Sequence, residues 1–168
     1  REIELAAEGE HDAIYRRYAA SQRELARATP IEYAAVRSAL RVLLKDEEYP
    51  SYIALQNKLD LPDGSPSPHV SERVAGDVIA CCIEEMENGL RFVTESDLAT
   101  WNVSADQVLR DAKANVCSLG CEIHANGHAH FVFANDSFQA ARLVNTALFA
   151  DRPARGHWVA VVPDRNTF

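Results

Sequence analysis

Short apolar runs bounded by turn residues, rather than long helical stripes, organise most of this chain. Leu40 to Lys45 reads as a short buried strand that closes the ambiguous run AAVRSALRVLLK. Asp77 to Ile83, DVIACCI, is a second strand. Glu87-Asn88-Gly89 turns the chain, and LRFV returns as its partner, a hairpin signal. Cys121 to Ala125 and His128 to Phe133 flank Asn126-Gly127, a stronger one. A two-residue turn there predicts type I′ geometry, with positive φ at both central residues. His157 to Val162, HWVAVV, reads as a last strand, and PDRN turns after it.

Helical periodicity fills the gaps. Residues 1–28 are charged and helix-favouring, with Ile14, Tyr18 and Leu25 as a sparse stripe, so they read as a peripheral arm. Thr29-Pro30 fits an N-cap followed by N1. A helix is predicted after Pro50, with Tyr52, Leu55 and Leu59 on one face, and residues 61–72 read as a loop. Thr94 and Asp97 fit the cap of a short helix before Trp101. Ser104 and Gln107 fit a capping box, and Val103 and Val108 a hydrophobic staple. Val108, Ala112 and Val116 continue that buried stripe, and Gly120 lies where a C-cap belongs. Asp136 can cap a further helix with a core face at Ala140, Leu143, Val144, Ala147 and Leu148. These elements predict an α+β fold: a mostly antiparallel sheet of about six strands, helices between hairpins, and a peripheral N-terminal helix. The expected organisation is an arm over residues 1–28 and one domain, truncated at its C-terminus, over 29–168.

At 168 residues, 47% hydrophobic and 25% charged, the chain has the composition of a globular domain. No apolar run approaches the roughly 20 residues of a membrane-spanning helix, and the N-terminus lacks a signal core. A cytoplasmic location is therefore expected, and the 4 cysteines read as free thiols. Cys81 and Cys82 are adjacent in a strand and should point to opposite faces. A net charge of −8 argues against a broad nucleic-acid surface. Lys45, Lys58 and Lys113 are the lysines, so 14 of the 17 basic residues are arginine.

The densest candidate chemistry is VCSLGCEIHANGHAHF, residues 116–131. In the expected register Cys121, His128 and His130 share one face of the hairpin and His124 takes the other. Cys117 at the helix end is a fourth candidate zinc ligand. The spacing Cys-x3-Cys-x2-His-x3-His matches no common zinc framework. The preferred reading is that the cysteines are small apolar fillers and the histidines strand residues near a turn, with no metal and no cofactor. Hydrolase and phosphate-binding motifs are missing from the sequence. Glu84-Glu85 and Asp46-Glu47-Glu48 read as solvated charge, and His69 as an exposed loop residue. Arg165, between Asp164 and Asn166 in VVPDRNT, is singled out because the turn does not require an arginine, whose five donors suit carboxylate or phosphate. Arg165, Asp164, Asn166 and His69 are the candidate ligand- or partner-binding residues.

Four stretches together resemble one family: SPHVSERVAGDVIACCI, LRFVTESDLATWNVSADQVLRDAKANV, FANDSFQAARLV and VAVVPDRNTF. They are similar to the YtpQ-like family of uncharacterised bacterial proteins, over roughly residues 67–168. Asp136, Phe138, Ala140 or Ala141, Arg142 and Leu143 fit a segment typical of that family. The resemblance implies a bacterial cytoplasmic α+β protein and carries over no catalytic residue. The expected function is that of a non-enzymatic interaction or accessory protein with a protein partner and no membrane or nucleic-acid role. The alternative is a metal-dependent or hydrolytic enzyme using the Cys121/His128/His130 face.

Overall fold

The computed structural model describes residues 32–51, 68–87, 89–150, 156–157 and 159–161. Helix α1 (Tyr33–Val36) and a 3-10 turn (Arg37–Ala39) lead into β1 (Leu40–Asp46), then β2 (Ser71–Ala75), β3 (Val78–Met86) and β4 (Gly89–Phe92). Helices α2 (Glu95–Trp101) and α3 (Ala105–Ser118) follow, then β5 (Glu122–Asn126) and β6 (Ala129–Phe133). A 3-10 helix (Ala140–Val144) and α4 (Ala147–Ala150) are the last described elements. The fold is α+β: the described residues form six strands in two antiparallel sheets, one of four strands and one of two.

Strand β3 is the centre of the larger sheet because its side chains are buried on both faces, as an almost unbroken apolar run requires. On one edge it pairs with β1 along its length, Val42 opposite Cys82. The other edge is shared end to end by β2 and β4. Where those two meet, the Cys82 N–H donates to the Val70 carbonyl at 2.8 Å and its carbonyl accepts from the Val93 N–H at 3.0 Å. The Val70 N–H donates to the Val93 carbonyl, so the incoming and outgoing chains are stitched at one point. The register puts Leu40, Val42, Leu44, Ala80, Cys82 and Glu84 on one face. Helix α3 lays Val108, Leu109, Ala112 and Val116 into that core. Cys81 and Cys82 are both buried, on opposite faces as expected, and burial pushes their thiols up to about 11 and about 12.

Polar ties fix α3 in place. Asp111 accepts from the Tyr33 hydroxyl at 2.7 Å and from Arg37 at 2.9 Å, and Lys113 pairs with Glu72 at 2.6 Å. The Asn115 amide donates to the carbonyls of Arg37 and Leu40, at the point where the 3-10 turn becomes strand.

Several expectations need correction. Ser71 and Glu72, read as loop, begin strand β2. Of the expected last strand, His157–Val162, the described residues 157 and 159–161 carry no strand, and Val159 and Val161 are 83% and 82% exposed. The long helix expected after Asp136 is two short pieces, because Asp136 accepts from the Phe138 N–H in a tight turn and from Arg142 instead of starting a regular helix. Gly120 is not a left-handed C-cap; that conformation belongs to Asn102, which ends α2 at φ 53°. Glu84 is not solvated charge but buried. It accepts from Arg91 at 2.7 Å, and Arg91 also donates to Asp97 at 2.8 Å. The arm over residues 1–28, Thr29-Pro30 and the helix expected at Tyr52, Leu55 and Leu59 lie outside the described residues.

Candidate functional site: the face of the second hairpin

Among the described residues, strands β5 and β6 form a sheet of their own. The expected hairpin is present, but its register is shifted. Asn126 pairs with Ala129, Ala125 with His130, His124 with Phe131, Ile123 with Val132, and Glu122 with Phe133. The central turn residues are therefore Gly127 and His128, not Asn126 and Gly127. Gly127 has φ 61° and neither neighbour has a positive φ, the pattern of a type II′ turn with glycine first. The turn type selects the register: one positive-φ position is needed, and glycine fills it without steric cost.

Pairing alternates the side chains into two faces. One carries Ile123, Ala125, His130 and Val132. The other carries Glu122, His124, Phe131 and Phe133. The separation of His124 from His130 is as the sequence predicted, and His128 sits in the turn. Cys117 is exposed on the last turn of α3, and Cys121 precedes β5. Among the described residues, no three or more His, Cys, Asp or Glu side chains come together as a cation site. The cysteines are not the buried fillers expected of them, since Cys117 is exposed and Cys121 only half-buried.

The second face holds the hairpin's distinctive feature. Phe131 and Phe133 are 49% and 48% exposed, and their rings stack at 6.3 Å with an interplanar angle of 26°. His124 meets Phe133 edge-on, centroids 5.2 Å apart at 89°. Its Nε2 lies 3.1 Å from a Glu122 carboxylate oxygen. The result is an aromatic platform with an acidic rim. Covering both phenylalanines would remove about 200 Å² of apolar surface from water, worth about 5 kcal/mol.

The base of the hairpin is held firmly. Arg142, 1% exposed, donates twice to Asp136, at 2.8 and 2.5 Å, and once to the Gly120 carbonyl at 2.8 Å. Those hydrogen bonds hold the Asp136 carboxyl below the usual carboxylate range. Gly120 thus serves through its carbonyl, two residues before β5. Phe138 is buried beside this clamp, with the Arg41 guanidinium 6.0 Å from its ring centre.

Of the candidate binding residues, Asp164, Arg165 and Asn166 lie outside the described residues. His69 is not an exposed loop residue. It bridges Thr94 where β2 and β4 meet and stacks on Phe92 at 4.9 Å. Burial lowers its pKa, and its Nδ1 has no hydrogen-bond partner. The groove at the α2–α3 junction is lined by Leu98, Ala99, Asn102, Val103 and Ser104, which supply no acid, base or cation. Sequence reasoning missed the platform. Its signal was present: Phe131 and Phe133 stand two apart in HAHFVF, opposite the face on which histidines and cysteines drew attention. No family model matches this chain, and neither curated proteins nor solved structures give a significant match.

Proposed function

We propose that this is a non-enzymatic interaction or accessory protein of the bacterial cytoplasm, related to the YtpQ-like proteins, that binds a protein partner through the Phe131/Phe133 face. The observation that carries the reading is the half-exposed, mutually stacked phenylalanine pair on a hairpin pinned to the core by Arg142. Rigid aromatic side chains offer large contact area at low entropic cost, and they are enriched where protein surfaces meet. The partner that fits presents an apolar strand or helix face with basic residues around it, matching Glu122 and the net charge of −8.

The test compares affinity capture from bacterial lysate by the natural chain and by the Phe131→Ser/Phe133→Ser double variant, followed by reconstitution with the purified candidate. A protein recovered near one-to-one, bound by the natural chain and at least tenfold more weakly by the variant, supports the reading. Equal binding by both chains overturns it.

A further inference from the structure

The Asn126-Gly127 pair at the tip of the second hairpin carries a chemistry that the turn does not use. Asparagine is a thermolabile residue. The main-chain nitrogen of the next residue can reach its side-chain amide carbon through a five-membered ring. The attack needs a free side chain, an uncrowded nitrogen and an N–H that is not tied up. Asn126 is exposed, and its side chain makes no hydrogen bond among the described residues. Gly127 has no side chain, and a Cβ built there would meet nothing within 4 Å, so nothing shields the approach. Asn126 and Ala129 close the turn, which leaves the Gly127 N–H outside the ladder and without a backbone partner among the described residues.

The other described asparagines lack one or more of these conditions. The Asn115 amide donates to the carbonyls of Arg37 and Leu40, and Val116 follows it within helix α3. Asn102 precedes Val103, whose N–H donates to the Leu98 carbonyl at 3.2 Å. Asn135 and Asn145 precede Asp136 and Thr146, whose side chains crowd the attacking nitrogen.

We infer that Asn126 is a site of spontaneous deamidation and isoaspartate formation, with water as the co-reactant. The Gly127 nitrogen bonds to Cγ of Asn126, the Cγ–Nδ2 bond breaks, and ammonia leaves carrying the proton that the glycine nitrogen lost. Water then opens the succinimide ring. Cleavage between the Gly127 nitrogen and Cγ gives aspartate. Cleavage between that nitrogen and the Asn126 main-chain carbonyl carbon gives isoaspartate, whose chain runs through Cβ and Cγ. Ring closure requires the turn to open. A hairpin that pairs with no other strand among the described residues opens at lower cost than β3, the centre of the larger sheet. Isoaspartate adds one carbon to the main chain at the residue that pairs with Ala129, so the hairpin loses its closing pair. The reaction is independent of any partner at Phe131 and Phe133.

Peptide mapping of the full chain after incubation at mildly alkaline pH tests this, with electron-transfer fragmentation separating isoaspartate from aspartate. Asn126 is expected to convert at least tenfold faster than Asn102, Asn115 and Asn145 in the same sample. Isoaspartate should be the larger product, and conversion should quicken as pH rises, because the attacking nitrogen must lose its proton. The peptide holding Asn88-Gly89, whose asparagine lies outside the described residues, is read separately. Asn126→Gln, which would need a six-membered ring, should leave its peptide unconverted. Conversion at Asn126 no faster than at Asn115 overturns the inference. So does aspartate without isoaspartate, since direct hydrolysis of the side chain then replaces the ring.

Discussion

Two buried or half-buried side chains make separable predictions at the scale of single residues. Arg142 is the most buried charge described, and its bidentate pair with Asp136 is joined by the Gly120 carbonyl. Removing one partner of such a pair strands the other and opens a cavity, which costs more than losing a surface pair. Arg142→Ala should lower the unfolding free energy by about 3 kcal/mol in urea titrations. Arg73→Ala, which removes the exposed pair with Glu47, should cost under about 1 kcal/mol. Equal losses would mean that the clamp is no stronger than a surface contact. His69 yields a pH effect of defined sign. Burial favours its neutral form, so its folded pKa lies below 6.5. Between that value and 6.5 the unfolded chain binds the extra proton, and stability falls as pH falls through this window. Stability curves from pH 7.5 to pH 5 should therefore slope downward on acidification, and His69→Phe, which keeps the stack on Phe92, should flatten them. Asp111 and Asp136, whose folded pKa values are depressed, act in a lower window. Their contributions are present above 3.8 and are lost as pH falls through the folded values.

At the scale of elements, the sequence was most legible where a local signal and tertiary packing agree. Helix α3 begins where Ser104 predicted, and the Ser104 hydroxyl accepts from the Gln107 N–H at 3.3 Å. Ser104→Ala should cost about 1 kcal/mol, seen as a lower urea midpoint, and an unchanged midpoint would mean that the cap is idle. Helix α2 was equally legible, because Asp97 accepts from the Thr94 N–H at 2.8 Å. Hairpin β5–β6 was legible in existence but not in register. Asn-Gly favours a type I′ turn, while the structure needs a positive φ only at Gly127. Gly127→Val should therefore destabilise the hairpin by about 1–2 kcal/mol, while Asn126→Val, at an extended strand position, should be tolerated. Hydrogen exchange at β5 and β6 reads this directly, and equal protection in the two variants would point to the type I′ register. Strand β2 was hidden because SERVA has few apolar residues, and it forms an edge strand exposed along most of its length. The helix after Asp136 failed because its apolar spacing carried no information about the Asp136–Arg142 pair that tightens the chain there.

For the whole molecule, one sheet built on β3 and roofed by α3 supplies the core, and the small hairpin projects from it on a fixed foot. The candidate site was less legible than the fold. Clusters of cysteine and histidine attract chemical readings, whereas two phenylalanines in a strand ordinarily signal core; only the exposure of Phe131 and Phe133 turns them into a surface. The proposed protein contact at this surface is tested most directly by the affinity of the purified, reconstituted partner for the natural chain and for Phe131→Ser/Phe133→Ser, alongside thermal melts of both. The variant is expected to bind at least tenfold more weakly, with a melting temperature within a few degrees of the natural chain because half-exposed side chains contribute little to the core. Equal affinity for the two chains at equal stability would contradict it.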